Sequence, residues 1–141
     1  MSDYLDPDIG SRASARSAGL AGRYIVSSRH NHLVSDGRVS QGGPGDAFFA
    51  GELLLGALVS CAVGLVLKRT LELGGQDATV EAQFLRHPTD PTRFLEMTLD
   101  FHFKGLDDTQ AKDAVEYFTS RCPIYNTLDR GGPITLRHHL S

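Results

Sequence analysis

Apolar residues occupy every side of one long segment in the middle of the chain, which contains "GELLLGALVSCAVGLVLKR". A helix that is apolar on all sides is normally surrounded by protein. Asp46 precedes the segment as a candidate N-terminal cap, and Glu52 lies near the positive end of the helix. Gly74 and Gly75 follow a basic last turn and supply a stop. The pattern predicts a buried helix from about residue 47 to about residue 73.

Alternation of apolar and polar positions predicts strands on both sides of this helix. "RFLEMTLDFHF" (93–103) alternates with a period of two, and "ATVEAQFLRH" (78–87) precedes it across the turn "PTDPT". We expect these two segments to form an antiparallel hairpin. "GRYIVSS" and "HNHLVS" predict two shorter strands around a turn, and the glycine-rich stretch "DGRVSQGGPGD" that follows predicts a loop.

A second helix is predicted over "DTQAKDAVEYFTSRC" (108–122), where apolar residues recur at helical spacing up to Cys122. Asp107 or Asp108 is the expected cap, Pro123 disrupts the helix, and "PITLRHHL" (133–140) is expected to be a final strand. The order of strands, long helix, hairpin, helix and strand predicts an α+β fold.

The polar N-terminal segment is the one part of the chain without a clear core pattern. Residues 1–18 contain "GSRASARSAG" and are expected to form a flexible arm or an edge strand. We expect residues 19–141 to form a single domain, since 141 residues suit one domain.

Composition narrows the classes of partner. The net charge is −3, with 40% hydrophobic and 22% charged residues. The chain therefore has no excess of positive charge that would favour binding to nucleic acid or to an anionic membrane. The N-terminus has neither the basic region nor the apolar region of a secretory signal. The longest apolar run, residues 53–67, is shorter than the ~20 residues that span a bilayer. We therefore expect a core helix and a cytoplasmic protein.

The chain has two cysteines, Cys61 and Cys122, and their spacing alone leaves their role open. A buried free cysteine usually behaves as a small apolar residue. Cys122 lies next to Arg121 and before Pro123, where a thiol could have a reactive surface. A chain of this size needs no disulfide to fold, and two cysteines are too few for a cysteine-rich zinc site.

Histidines offer a weak alternative site. His30 and His32 lie on one side of a predicted strand, within reach of one metal ion, whereas the adjacent His138 and His139 face opposite sides. No carboxylate or cysteine lies at a ligand spacing from either pair. We expect solvated histidines, no metal and no cofactor. The loop "SQGGPG" lacks the Gly-Lys-Ser/Thr ending of a phosphate-binding loop.

Two motifs together resemble the OsmC/Ohr family, the osmotically inducible and organic hydroperoxide resistance proteins. They are the helix "ELLLGALVSC", preceded by a "GG" loop, and "CPIYNTL", which begins about sixty residues after the first cysteine. The resemblance extends from the first strand to the last. It implies an intertwined homodimer in which antiparallel sheets surround a long buried central helix, with sites at the dimer interface.

The resemblance also implies a chemistry for the two thiols. Cys61 corresponds to the peroxidatic cysteine, which attacks the O–O bond of a peroxide and becomes a sulfenic acid. Cys122 corresponds to the resolving cysteine, which condenses with it to a disulfide. A dithiol then reduces the disulfide, and for some members this reductant is a lipoylated protein. The implied role is an oxidative stress response that uses organic hydroperoxides as substrates.

This sequence departs from the family pattern at the groups that assist the first cysteine. Members hold the thiolate with an arginine, itself held by a glutamate ten residues before that cysteine. Here Gly51 occupies the position, and Glu52 is nine residues before. The best candidate arginine is Arg23, at the start of the first strand, with Arg16 and Arg29 as alternatives. These differences indicate a divergent, OsmC-like branch.

The sequence leads to two hypotheses. The first is a two-cysteine peroxidase that uses Cys61 and Cys122, assisted by Glu52 and Arg23. The second is a non-catalytic OsmC-like binding protein that holds a small apolar or thiol-reactive ligand at the dimer interface. An approach of Glu52 and Arg23 to Cys61 would favour the first hypothesis.

Overall fold

A three-stranded antiparallel sheet begins the part of the chain that the computed structural model describes, residues 9–132 and 136–137. Its strands β1 (Ser14–Ser17), β2 (Arg23–Ser28) and β3 (Asn31–Asp36) lie in that order. The two-residue turn between β2 and β3 confirms the predicted first hairpin. Residues 14–17 form the edge strand, which was one of two alternatives for the N-terminal segment.

The "GG" loop after β3 is held by close contact between glycine backbones. It contains a short 3-10 turn (Val39–Gln41). A Cβ atom at Gly43 would lie 2.1 Å from the carbonyl oxygen of Gly37, so no other residue fits at this position without moving the loop. Gly43 therefore serves backbone packing, whereas Gly42 has open space around it and a φ of 83° that favours glycine.

The long helix, α1 (Ala50–Glu72), begins three residues later than the sequence predicts. Phe48 forms a β-bridge with Ser35 of β3, and the carbonyl of Phe48 accepts the backbone N–H of Asp36. The segment before Ala50 is therefore hydrogen-bonded to β3 and is not helical. The prediction that Asp46 caps the helix is consequently wrong. Glu52 lies in the first turn as predicted, and Gly74, with φ of 85°, ends the helix region.

Two long strands and two short helices follow α1. The strands β4 (Asp77–Arg86) and β5 (Phe94–Lys104) form the predicted antiparallel hairpin. The helix α2 (Asp108–Thr119) begins with a capping box between Asp107 and Gln110, which confirms Asp107 as its cap. The helix α3 (Pro123–Arg130) was not predicted.

The boundary between α2 and α3 corrects the sequence prediction for Cys122. Cys122 is the N-terminal cap of α3, and α2 ends before it at Thr119. The residue before a proline is disfavoured in helical conformation, and Cys122 has φ −78° and ψ 113°. Proline itself suits the first position of a helix, so Pro123 ends one helix region and starts the next.

The chain divides into two compact units, Met1–Leu54 and Leu55–Ser141. The second unit has a core in which α1 contributes one stripe of buried residues. That stripe has a spacing of four, and its members are Leu58, Ala62, Val66 and Thr70. Phe118 of α2 lies against Phe101 and Tyr125, with ring centroids 5.5 and 5.1 Å apart. The other apolar sides of α1 are half-buried or exposed within the chain.

The architecture is α+β, with two antiparallel sheets and one long helix, as the sequence predicts. The final strand expected over residues 133–140, with His138 and His139, lies largely outside the described residues. The boundaries of the N-terminal arm and of the single domain stay predictions.

Candidate functional site

The two cysteines, 61 residues apart in sequence, meet in the core of the second unit. Their Sγ atoms are 2.7 Å apart, and both are free thiols. Cys61 is at the middle of α1, and Cys122 is at the start of α3. The structure therefore pairs two thiols whose sequence spacing could not show whether they touch.

The motif "CPIYNTL" fixes Cys122 in position. Its Sγ atom accepts the backbone N–H of Tyr125 at 3.3 Å, and its side chain is fully buried. The side-chain amide of Asn126 donates to the carbonyl oxygens of Thr119 and Cys122, at 2.9 and 2.8 Å. Asn126 was not predicted to have a role, although it lies within the motif.

The Cys61 thiol lies in surroundings that favour its neutral form. Burial raises the pKa of Cys61 to about 11, and the hydrogen bond with Cys122 adds to this increase. The backbone N–H of Ile124 acts in the opposite direction. At pH 7 a thiol with this pKa is ionised in only about one molecule in ten thousand. Attack on a peroxide therefore requires a further group that stabilises the thiolate.

A groove of about 420 Å³, lined mostly by apolar residues, lies between α1, β5 and α3. We call it the α1–β5–α3 groove. Leu58, one helical turn before Cys61, lines it together with Tyr125, whose backbone N–H donates to the Sγ atom of Cys122. The rest of the lining comes from residues 94–97 and 99 of β5 and from Leu128 and Asp129 of α3. A small organic molecule has a suitable volume for this groove.

Arg23, the candidate helper at the start of β2, is held by a carboxylate in the first unit. Its Nε and Nη2 atoms donate to the two carboxylate oxygens of Asp36, at 2.8 and 2.9 Å. The Asp36 side chain is fully buried and also accepts the backbone N–H groups of Asp46 and Ala47. The Arg23 guanidinium and these N–H groups hold the pKa of Asp36 well below its usual range.

Asp36 is a residue that sequence analysis missed, although a signal existed. The two-residue turn places Ser28 opposite Asn31, and continuing this register along the hairpin places Arg23 opposite Asp36. Arg23 and Asp36 thus form an arginine–carboxylate pair across this hairpin.

The Glu52 side chain stabilises the N-terminus of α1. Its carboxylate accepts the backbone N–H of Phe49 at 2.9 Å, which satisfies a donor at the helix N-terminus. Arg16 lies in β1, and Arg29 lies in the turn between β2 and β3. The roles proposed for Arg23 and Glu52 at the Cys61 thiol stay predictions.

His32 lies in β3, but His30 lies in the turn before it, so the prediction that both lie on one side of a strand is wrong. His32 Nδ1 is 2.7 Å from the hydroxyl of Ser27, the residue opposite it on β2. Within residues 9–132 and 136–137, no group of three or more His, Cys, Asp or Glu side chains is arranged to hold a metal ion.

Comparison with solved structures finds the same fold. An OsmC-like protein from Mycoplasma pneumoniae superposes with a TM-score of 0.72 at 16% identity, over 85% of this chain and 87% of that one. An organic hydroperoxide resistance protein, OsmC, from Legionella pneumophila gives a TM-score of 0.68 at 20% identity, over 86% and 90%. An organic hydroperoxide resistance protein from Elizabethkingia anophelis gives 0.68 at 19% identity, over 92% of both chains. No curated protein sequence matches this chain.

The family model described as OsmC-like protein matches residues 43–137, which include both cysteines. By length and composition alone, α1 could cross a membrane, and 17% of its most apolar window is buried. Because α1 lies within the matched region and supplies the buried stripe of the second unit, we interpret it as a core helix. From the matched residues and the shared fold, the chain belongs to the OsmC-like protein family.

Proposed function

We propose that this protein is a cytoplasmic, homodimeric thiol peroxidase that reduces organic hydroperoxides, with Cys61 as the nucleophile and Cys122 as the resolving thiol. The observation that carries the proposal is the pair of free thiols, 2.7 Å apart, in an apolar core. Two of the similar structures are organic hydroperoxide resistance proteins, which supports the choice of substrate class.

The proposed cycle balances with a hydroperoxide and a dithiol. The Cys61 thiolate attacks the terminal oxygen of ROOH, an S–O bond forms as the O–O bond breaks, and the alkoxide takes a proton to leave as ROH. Cys122 then attacks the sulfenic sulfur, and the disulfide forms with release of water. A dithiol, on a lipoylated protein or a small molecule, donates two electrons and two protons and restores both thiols.

The short distance between the sulfur atoms favours resolution over further oxidation. A sulfenic acid that waits for a distant thiol can be oxidised again to the sulfinic form, which is generally irreversible. Cys122 is fixed beside Cys61 by the start of α3, so little movement separates the sulfenic acid from the disulfide. The motif "CPIYNTL" therefore has a chemical purpose in this proposal.

Formation of the thiolate is the demanding step, because burial raises the pKa of Cys61 to about 11. We assign the stabilising charge to Arg23, whose guanidinium is always protonated. Asp36 would orient Arg23, the task that a glutamate performs in the family pattern. Glu52 stays a candidate helper, with its observed role at the helix start.

The partly uncovered apolar helix α1 and the family resemblance support the proposed homodimer. Although α1 is apolar on all sides, its buried residues are confined to one stripe. Gly56, Ala57, Ser60 and Gly64 are exposed along another side. A second copy of the chain would cover this surface, because an all-round apolar helix is stable when surrounded by protein.

One experiment tests the cycle. The reduced protein is treated without oxygen with one equivalent of cumene hydroperoxide, and the cysteine states are mapped by mass spectrometry. We expect a Cys61–Cys122 disulfide in the wild type and a sulfenic acid on Cys61 in Cys122→Ser. Ser60→Ala, a change beside Cys61 that spares both thiols, is the matched control and should behave as wild type. Unchanged thiols in the wild type would contradict the peroxidase proposal.

A non-catalytic binding protein is the second candidate, and the pKa of Cys61 favours it. A thiol that remains protonated at neutral pH is a poor nucleophile. The same experiment separates the candidates, since a binding protein would retain unreduced cumene hydroperoxide while both thiols stay reduced.

A further inference from the structure

We infer that Asn126 is a positioning residue for the resolving step, because it joins the end of α2 to the start of α3 and so holds the Cys122 sulfur beside Cys61. The observation that carries this inference is one side-chain amide that donates to two carbonyl oxygens, those of Thr119 and Cys122. The inference rests on the proposed peroxidase function, since it names the side chain that sets how fast a Cys61 sulfenic acid becomes the disulfide.

The junction between α2 and α3 leaves one carbonyl oxygen without its usual helical donor. In a continuing helix the carbonyl of Thr119 would accept the backbone N–H of the residue four positions later. That residue is Pro123, which has no N–H. The Asn126 amide donates to the Thr119 carbonyl at 2.9 Å and so replaces the missing donor.

The position of Asn126 in α3 explains how its side chain reaches back to Cys122. Helical side chains point towards the N-terminus of their helix, and Asn126 lies four residues after Cys122. Its amide donates to the Cys122 carbonyl at 2.8 Å, and its backbone N–H donates to the same carbonyl at 3.0 Å. An amide NH2 group has two hydrogens, one for each carbonyl, whereas an ionised aspartate has none and a serine hydroxyl has one.

The position of the Cys122 backbone determines the position of its sulfur. The Sγ atoms of Cys122 and Cys61 are 2.7 Å apart, and a disulfide requires about 2.05 Å, so the pair is already close to bonding distance. The backbone N–H of Tyr125 holds the Cys122 sulfur from the first turn of α3. Without the Asn126 amide, the link between α2 and this turn is lost, and Cys122 can move away from Cys61.

Movement of Cys122 would change the outcome of a competition at Cys61. Attack of Cys122 on the sulfenic sulfur releases water and has a fixed rate, whereas oxidation of the sulfenic acid by a second hydroperoxide rises with the hydroperoxide concentration. A displacement of about 1 Å can slow a positioned reaction by about a hundredfold. Slower resolution lowers, by the same factor, the hydroperoxide concentration at which Cys61 is lost as sulfinic acid.

The main test uses Asn126→Ala with cumene hydroperoxide and a dithiol reductant. Mass spectrometry measures the hydroperoxide concentration at which half of Cys61 is sulfinic acid, and we expect this concentration to be roughly ten- to a hundredfold lower than in the wild type. The rate of the first attack, which forms the sulfenic acid, should change by less than about threefold. Alanine has a higher helix propensity than asparagine, so a role limited to forming α3 would leave resolution as fast as in the wild type.

A milder variant and a matched control accompany this test. In Asn126→Ser the hydroxyl can still donate to the carbonyl four residues earlier, that of Cys122, but the link to Thr119 is lost. We expect a smaller shift in the same direction, and this variant carries the test if Asn126→Ala does not fold. Asn31→Ala is the control, since the Asn31 amide lies in the first hairpin and donates to the Ser28 carbonyl at 3.4 Å. It should lose Cys61 at the wild-type concentration.

The results that overturn the inference differ from those that overturn the proposed function. A half-inactivating concentration equal to that of the wild type in both Asn126 variants removes the positioning role and leaves the peroxidase in place. Equal slowing of the first attack and of resolution also overturns it, since a general loss of packing has that effect. If Cys61 stays a thiol in the wild type and in Cys122→Ser, the peroxidase proposal fails and the inference fails with it.

Discussion

Cys61 has to satisfy two requirements that oppose each other. Apolar surroundings suit an organic substrate, but they also favour the neutral thiol, and attack on an O–O bond requires the thiolate. In the thiol pair without substrate, the effect of the apolar surroundings is the larger one, since burial and the Cys122 thiol raise the pKa of Cys61 to about 11. The proposed role of Arg23 answers the second requirement.

The pH dependence of Cys61 alkylation measures this balance. We expect the rate with iodoacetamide to rise about tenfold per pH unit through the neutral range, towards a midpoint near 11. In Cys122→Ser the midpoint should fall but stay above the ordinary thiol value, because burial is the larger cause. An unchanged midpoint in Cys122→Ser would contradict this prediction, and a wild-type midpoint below about 8.5 would show that the cation assigned to Arg23 already holds the thiolate without substrate.

The same shift has a consequence for stability. The folded state binds the Cys61 proton more tightly than the unfolded state, so the contribution of Cys61 is complete below about pH 9 and is lost by about pH 11. The difference in unfolding free energy between wild type and Cys61→Ala should therefore shrink across this interval.

Among the secondary-structure elements, the hairpins and helix ends that depend on neighbouring residues in the sequence could be predicted. The alternation in β5 and the turn "PTDPT" identified the β4–β5 pair, and the Asp107 cap and Gly74 marked helix ends correctly. These features depend on residues within a few positions of one another.

Features that depend on long-range partners were not predictable in this way. Asp46 has the right chemistry for a cap, but pairing of Phe48 with Ser35 keeps the preceding segment out of the helix. The contact of Cys61 with Cys122 was predicted only through the family resemblance, because their spacing carries no geometric information. The helix α3 was missed because Pro123 was interpreted as disrupting a helix, although proline also suits a helix start.

The β2–β3 hairpin and the loop after it depend on Asp36. Its buried carboxylate accepts two donors from Arg23 and the backbone N–H groups of Asp46 and Ala47. Asp36→Asn keeps the size of the side chain but removes the charge and one acceptor. We expect a melting temperature several degrees lower at pH 7, measured by circular dichroism.

The pH dependence of the stability of Asp36→Asn distinguishes the loss of the carboxylate charge from a loss of packing. Because the pKa of Asp36 is lowered in the folded state, its contribution is present above about pH 4 and is lost as the pH falls below that value. The difference between wild type and Asp36→Asn should shrink accordingly. Asp46→Asn is the control, since the Asp46 carboxylate is exposed and 3.7 Å from Arg23. Equal destabilisation by both variants would contradict the assignment.

At the scale of the whole molecule, α1 has more apolar surface than one chain covers. Its window of mean hydropathy 2.1 is only 17% buried. Most of its other apolar residues are half-buried, and apolar surface that stays partly open to solvent favours an interaction site. The sequence could indicate this requirement, since the apolar pattern has no polar side, but it could not show which chain supplies the cover.

The glycines on the exposed side of α1 allow a direct test of the homodimer. A Cβ atom at Gly56 or Gly64 meets nothing within 4 Å in the chain, so Gly56→Leu/Gly64→Leu should fold and gain helix propensity. If two copies of α1 pack through this side, the larger side chains hold the helices apart. By light scattering we expect a wild-type dimer and a monomeric double variant. Glu116→Leu, an exposed change on α2, should stay dimeric, and a monomeric wild type or a dimeric double variant would contradict the proposed interface.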